Sequence, residues 1–526
     1  MPVNPLKILY LAAEVSPFAK VGGLADVAYA LPRALRSLGH DVRVAMPSYG
    51  MVESGQYAGA KAIIDDLPVA IRPGLVESAY VRRTTLPSPE DTLQRSRRGP
   101  EGHTEDDPGR VPVYLIGNRR EGDGSGYFTR GTESSKLYLA EPEPYIFFCR
   151  AALEFLPRLA PAWRPDVLHC NDWHSGLTPV YARLPAGIAA GVSSAATVYT
   201  IHNLAYQGVF ETSRWSSTGI PNCLLTVEGL EFYEKWSFMK GGLVFADRVN
   251  TVSTRYADEI QSPEYGCGLD GLLRYLHGEG RLSGILNGID EVEYNPETDR
   301  RIAAHYNSED MSGKACCKLR LQQELKLPVA ADIPLVCMVS RLTDQKGLDL
   351  LRAAATRLLA QPVQLAILGT GDARHERYLR KLQTRYPDQV RVAIRFDTAL
   401  AQRLYAGSDM FLMPSHFEPC GLGQLIALRY GSIPIVRGTG GLAETITDVD
   451  RARGRCGNGF VFTEYSSEAL ARAVSRAVGW FQNRSRWQEL VRQALITDYS
   501  WTGSAQKYVA LYRDALTARQ VRSGCA

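Results

Sequence analysis

Short apolar runs, each closed by a polar cluster and followed by helical periodicity, recur along this chain in two separate series. A strand buried on both faces reads as a continuous apolar run, and its return crossover reads as a helix, so the pattern specifies parallel sheets covered by helices. The first series opens with a strand over residues 6–11 and a loop carrying Pro17, Gly22 and Gly23. Val27, Ala28, Leu31, Ala34, Leu35 and Leu38 then recur at helical spacing, with Gly39 placed as a C-terminal cap and Pro32 expected to kink the helix. A strand over 42–46 completes a β-α-β unit with a right-handed crossover. Further strands are expected at 166–170, 197–201 and 248–252.

The pattern breaks at 261–268, where Pro263, Gly266 and Gly268 cluster. A second series follows, with strands at 335–339, 364–368, 390–396, 410–414 and 433–436 and helices at 348–359, 400–406 and 422–430. The expectation is an α/β protein of two Rossmann-like, doubly wound domains, 1–262 and 263–497, as suits 526 residues, too many for one ordinary core. An amphipathic helix at 501–516, within a last segment 498–526, can pack back on the first domain. Residues 87–110 are polar, charged and proline-rich and predict a mobile insertion.

Composition narrows the partners. A net charge of +4 gives no case for nucleic acid, and no apolar run approaches the ~20 residues that span a bilayer. The strand-like run begins by Leu6, leaving no room for a leader, so a cytoplasmic location is expected. The ten cysteines are scattered without CxxC spacing, which predicts reduced thiols and neither disulfide frame nor metal site.

Candidate chemistry sits where strands give way to helices, since ligands of open α/β sheets bind beyond the carboxyl ends of strands. Lys20-Val21-Gly22-Gly23 before a helix suits an anion, or is a tight loop with a solvated lysine. Arg341 and Lys346 could neutralise a diphosphate leaving group, or be ordinary surface charge. Gly369-Thr370-Gly371-Asp372 lacks the third glycine of a dinucleotide fingerprint and reads as a turn or a nucleotide-facing loop. Glu418 either grips sugar hydroxyls or an oxocarbenium-like carbon, or favours a helix dipole. Thr439-Gly440-Gly441-Leu442 offers backbone N–H groups to phosphate or is a plain turn. His174 and His202 follow strands, where a lone histidine is more often structural.

Together, Lys20-Val21-Gly22-Gly23-Leu24-Ala25-Asp26, Asn171-Asp172-Trp173-His174, His202-Asn203-Leu204-Ala205-Tyr206-Gln207-Gly208, Leu286-Asn287-Gly288-Ile289-Asp290, the run from Ser340 to Gly347, Phe417-Glu418-Pro419-Cys420-Gly421-Leu422 and the Thr439 turn resemble bacterial glycogen synthase and plant starch synthase, in order along nearly the whole chain. The resemblance implies a GT-B fold with an active site between two domains. It implies a retaining glucosyltransferase moving glucose from ADP-glucose to the non-reducing 4-OH of an α-1,4-glucan, without metal or cofactor. By that resemblance Lys20, Gly22 and Gly23 face the donor phosphates, and Arg341 and Lys346 hold the diphosphate. Glu418 and His174 contact the transferred glucose, and Asp26 and Asn203 lie near sugar or acceptor. Gly371, Asp372, Cys420, Gly421, Leu422, Thr439, Gly440 and Gly441 complete the substrate-binding set.

Five places depart from the family pattern: Ala140 where an acidic group is usual, His416 and Gly438 for arginines, Gly423 for Thr or Asn, and Phe396-Asp397-Thr398. They motivate two alternatives: a GT-B transferase using another donor such as UDP-glucose or a smaller acceptor, and a diverged, non-catalytic glucan-binding protein. Oligomeric state is not legible in the sequence.

Overall fold

The computed structural model describes residues 4–53, 60–88, 110–118, 126–128, 140–159, 163–185, 191–451 and 457–524. Most of the expected insertion at 87–110 lies outside the described residues. The chain divides into two compact units: Met1–Val252 with Ala257–Ile285 and Trp501–Ala526, and Ser253–Tyr256 with Leu286–Ser500.

The first unit contains β1 (Lys7–Leu11), β2 (Asp41–Pro47), β3 (Lys61–Arg72), β4 (Leu75–Thr85), β5 (Pro112–Asn118), β6 (Val167–Asn171), β7 (Ala196–Ile201), β8 (Val209–Glu211), β9 (Glu231–Phe232), β10 (Lys235–Ser237), β11 (Arg248–Thr251) and β12 (Leu282–Gly284). Nine of these form one sheet in the order β12-β11-β7-β6-β1-β2-β5-β4-β3. It is parallel from β12 to β5, and the antiparallel hairpin β3–β4 adds an edge. The strand order reverses where β1 is flanked by β2 and β6, so the crevice beyond the ends of β1 and β6 is the topological switch point at which such sheets take ligands. A small antiparallel sheet, β8-β10-β9, lies apart from this one.

The helix Gly23–Ser37 runs on through Pro32, so the expected kink does not end it, and Gly39 takes the left-handed conformation (φ +90°) just past its C-cap. The last helix, Trp501–Gly524, belongs to the first unit and extends past the expected 516. Buried polar contacts fix it: Tyr512 Oη lies 2.8 Å from His169 Nδ1 on β6, and Asn250 Nδ2 on β11 donates to Tyr508 Oη at 3.2 Å. Arg248 and Asp514 add an ion pair.

The second unit holds a six-stranded parallel sheet of β13 (Leu335–Val339), β14 (Gln364–Leu368), β15 (Val390–Ala393), β16 (Met410–Met413), β17 (Ile433–Arg437) and β18 (Phe460–Phe462), in the order β15-β14-β13-β16-β17-β18. Its reversal falls between β13 and β16, which aims the loops after those two strands, residues 340–347 and 414–422, at one crevice. β15 stops at Ala393, short of the expected 396, and leaves Phe396 exposed. The change of unit comes at Leu286, later than the expected 263, because the helix Asp270–Gly278 and β12 still complete the first sheet by pairing β12 with β11. The Pro263 break is a bend within the first unit. Among the described residues no helix is long and apolar enough to cross a membrane.

Candidate active site

The loop leaving β1 is built around Glu14, a buried carboxylate. Its Oε2 accepts the N–H of Gly22 at 3.0 Å and that of Val21. The amides expected to face a phosphate are therefore organised by an internal anion. Lys20 is paired as well: its Nζ lies 2.6 Å from Asp26 Oδ1, one turn into the following helix. Gly22 caps that helix and Gly23 begins it. The structure thus joins Lys20, Gly22, Gly23 and Asp26 into one assembly, with Glu14 as a member that sequence reasoning missed. Its signal was a lone acid directly after an apolar strand.

The loop leaving β6 carries the second element of this unit. Asp172 sits at φ +54°, a left-handed conformation uncommon for any residue but glycine. Its Oδ1 accepts the backbone N–H groups of His202 at 2.8 Å and Asn203 at 3.4 Å, tying the β6 end to the β7 end. Burial, reinforced by the charge of Glu14 nearby, pushes the Asp172 carboxyl up to about 7 against the pull of those two N–H groups. Asn203 Oδ1 caps its own turn through Ala205 N–H at 3.1 Å. His202 Nε2 meets Asn171 Oδ1 at 2.9 Å, and Tyr10 Oη donates to the same oxygen at 3.0 Å.

His174 is buried in an aromatic wall, stacked on Trp173 with ring centroids 4.1 Å apart and edge-on to Tyr145 at 4.8 Å. Burial holds its pKa down to about 3, as it does for His202 and His169. At neutral pH these are uncharged imidazoles, able to exchange hydrogen bonds with hydroxyls but not to serve as cations.

In the second unit the loops after β13 and β16 interlock. Gly347 (φ +72°) has no room for a side chain, since a Cβ there falls 2.1 Å from the Pro414 carbonyl oxygen. Gln345 accepts the His416 N–H at 2.8 Å through its backbone oxygen, and its side-chain oxygen accepts from Arg341 Nη2 at 3.4 Å. This arrangement carries Lys346 to Glu418: its Nζ bonds both carboxylate oxygens, at 2.9 and 2.7 Å, and Ser415 Oγ donates to Oε2 at 2.9 Å. Both side chains are mostly shielded from solvent, with 16% and 7% exposed, so removing either partner would strand a shielded charge.

The Thr439 turn lies against the same segment. Gly441 N–H donates to the Glu418 carbonyl at 3.1 Å, and a Cβ on Gly440 or Gly441 would fall 1.9 Å from the Glu418 oxygen or 2.1 Å from that of Cys420. Only glycine allows this approach. Cys420 is buried, which pushes its thiol up to about 12 and leaves it a neutral packing group, not a nucleophile. Gly421 (φ +73°) makes the turn into the helix Gly423–Arg429, and Leu422 precedes that helix and packs on the core. Asn287, from the Leu286–Asp290 segment, is buried beside Cys420 with an unbonded Oδ1. Gly371 and Asp372, on the loop after β14, are tied to the loop after β13: Gly371 bridges Leu342, and Asp372 N–H donates to the Leu342 carbonyl at 2.8 Å just before the helix Ala373–Arg385.

Three of the five departures have local surroundings that bear on them. Glu141 and Glu143 share Arg214 at 2.8 and 2.7 Å on the surface, beside Ala140. A Cβ on Gly423 would press on the Phe411 ring at 3.0 Å. His416 packs on Tyr465 at 4.8 Å, and Arg437 donates to the His416 carbonyl. Among the described residues no group of three or more His, Cys, Asp or Glu is placed to hold a metal ion.

Residues 7–275 match the starch synthase catalytic domain, and residues 322–493 match the glycosyl transferases group 1 domain. The chain is 43% identical to a glycogen synthase of Moorella thermoacetica over 98% of each chain. It is 45% identical to a glycogen synthase of Desulforudis audaxviator over 98% of this chain and 97% of that one. The chain belongs to the glycogen and starch synthase family. Among solved structures it is similar to the catalytic domain of starch synthase IV from Arabidopsis thaliana bound to ADP and acarbose. The TM-score there is 0.86 at 32% identity, covering 98% of this chain and 100% of that one. A sucrose-phosphate synthase from Thermosynechococcus elongatus, at 17% identity and TM-score 0.56, shares the fold. The chain is thus a glycosyltransferase of GT-B fold and a glycogen synthase by family, with a nucleotide sugar and a glucan as its substrates.

Proposed function

We propose that the nucleotide sugar is ADP-glucose and that glucose passes with retention to the non-reducing 4-OH of an α-1,4-glucan. The observation that carries this reading is the Lys346–Glu418–Ser415 cluster at the second unit's switch point, with the Thr439 turn packed on Glu418. It sets a cation and a carboxylate together, with the Gly440–Gly441 turn packed against them, as a charged glycosyl diphosphate requires. The ADP in the solved starch synthase IV supports the choice of base.

In this reading Lys346 and Arg341 take the diphosphate charge as the sugar C1–O bond breaks. Glu418 faces the positive charge developing on the sugar. The glucan 4-OH oxygen bonds C1 from the face that the phosphate leaves, and its proton passes to the departing ADP. Neutral His174 and Asn203 orient hydroxyls, and the Lys20–Asp26 assembly, with Gly22 held on Glu14 and Gly23 at the helix start, completes the donor side. Gly371 and Asp372 face the nucleotide, and Cys420, Gly421 and Leu422 shape the loop around Glu418. No metal or cofactor takes part. The eight described cysteines are free thiols, in keeping with a cytoplasmic setting.

Donor choice is tested by initial rates with ADP-, UDP- and GDP-glucose at matched concentration. The expected result is a preference for ADP-glucose of at least about 10²-fold in kcat/KM, the discrimination that bonded base groups give. Faster transfer from UDP-glucose would overturn the donor assignment and leave the family intact.

A further inference from the structure

Five arginines converge at the end of the first sheet away from the candidate active site. Arg183 and Arg519 share the Ser193 carbonyl, Arg183 Nη1 donating to it at 3.1 Å and Arg519 Nη2 at 2.7 Å. Arg183 and Arg522 share Asp247, with Arg183 Nη2 2.7 Å from Oδ2 and Arg522 Nη1 3.5 Å from Oδ1. Arg281 Nη2 donates to the Ala246 carbonyl at 2.6 Å, and Arg248 Nη1 to the Asp247 carbonyl at 2.9 Å. Ser193, Asp247 and Arg281 precede β7, β11 and β12, so the cluster sits at the amino ends of these strands. His202 and Asn203 follow the carboxyl end of β7, a strand of six residues, and so lie roughly 20 Å away. The glycosyl transfer makes no use of the cluster.

The charge here is lopsided. Among the described residues, the carboxylates that pair with Arg183, Arg248, Arg281 and Arg522 are Asp247 and Asp514. Arg248 takes Asp514 at the surface. Asp247 is fully buried, and its Oδ2 accepts from the Thr197 N–H at 2.8 Å and hydroxyl at 2.9 Å as well as from Arg183. Arg281 meets neutral backbone carbonyls, and its Nε is buried without a hydrogen-bond partner. One saturated carboxylate thus serves Arg183, Arg281 and Arg522, with Arg519 beside them. Burial lowers the pKa of Arg183 and of Arg281, and repulsion from Arg522 lowers both further against the pull of Asp247. Arg519 and Arg522 stand one turn apart on the last helix, and Arg522 is 43% exposed, so the cluster is open to a solute.

We propose that this arginine cluster binds a phosphoryl dianion. A phosphoryl group carries about two charges and at least three acceptor oxygens, so it accepts from several guanidinium forks at once. A carboxylate, with one charge, would leave the cluster cationic. Arg519 and Arg522 approach the group from the last helix, and Arg183 and Arg281 from the sheet. The bound group ties the end of that helix to the amino ends of β7 and β12.

The test follows amide hydrogen exchange at residues 517–522 of the full-length protein as inorganic phosphate or glycerol phosphate is added, with sodium chloride at equal ionic strength as reference. Exchange in wild type is expected to slow about ten-fold once the phosphate reaches about ten times its dissociation constant, since opening the helix end gives up the bound group. Arg522→Gln and Arg519→Gln are each expected to raise the concentration for half the effect about ten-fold, the weight of one charge-assisted hydrogen bond. Two variants are used so that a folding defect in one leaves the other to decide. Protection at lower concentration by glycerol phosphate than by inorganic phosphate names a phosphate ester as the ligand, and the reverse names the free ion; either result supports the site. Protection no greater than sodium chloride gives, or a half-effect concentration unchanged in both variants, overturns it. Glucose transfer is not read, so failure of the proposed function leaves this result untouched.

Discussion

Glu418→Gln is expected to lower kcat by about 10²–10³-fold, the usual cost of deleting one group aimed at transition-state charge. Glutamine keeps the size of the side chain and an oxygen for the Ser415 hydroxyl, so this variant isolates the charge. Both variants leave Lys346 shielded from water without its counterion. Glu418→Ala, which removes the oxygen acceptor as well, should lose at least as much activity and about 3 kcal/mol of stability, more than Glu418→Gln. Steady-state rates with ADP-glucose and glycogen, read beside thermal unfolding of both variants, separate the two effects. A folded Glu418→Gln protein with rates near those of wild type would show that the carboxylate serves only the Lys346 ion pair.

Acid should destabilise the first unit steeply, starting just below neutrality. His169, His174 and His202 are held near 3 in the folded protein against 6.5 when free. Between those values the unfolded chain binds protons that the folded chain refuses. The stability they confer is therefore present above pH 6.5 and lost as pH falls toward 3, at about 1.4 kcal/mol per pH unit for each histidine. Asp172 works the other way: its folded value is raised from 3.8 to about 7, so its contribution is lost as pH rises through that window. Three against one leaves a net loss on acidification. The midpoint of thermal unfolding is expected to drop by about 5–10 °C between pH 7 and pH 5.5, and Asp172→Asn, which removes the opposing term, should steepen the drop. A flat profile, or a shallower one in Asp172→Asn, would mean that these groups are not held as described.

Strands β13 and β14 were legible to the residue because both are buried on two faces and read as unbroken apolar runs. The helix after Gly22 was legible from its spacing, and Gly39 from the backbone conformation its position demands. The hairpin β3–β4 escaped because an edge pair with alternating exposure lacks that signal, although Pro73-Gly74 marked its turn. β8, β9 and β10 are only two or three residues each, too short for any periodicity. At the site, the residue types were readable and their pairings were not. Lys346 and Glu418 stand 72 residues apart, and separate reasoning assigned one to phosphate and the other to sugar. They meet because β13 and β16 are neighbours at a reversal of strand order, a property of topology. Glu14 was missed for a related reason, since nothing local announces that its carboxylate turns back onto the Val21 and Gly22 amides.

The most direct test of the central claim is ADP release by the purified wild-type protein supplied with ADP-glucose, with and without glycogen. The account predicts steady release that depends on glycogen and is matched mole for mole by glucose added to the polymer. Glycogen binding without ADP release from ADP-glucose, or from UDP-glucose in parallel, would contradict it and identify a glucan-binding protein that has kept the fold and lost the reaction.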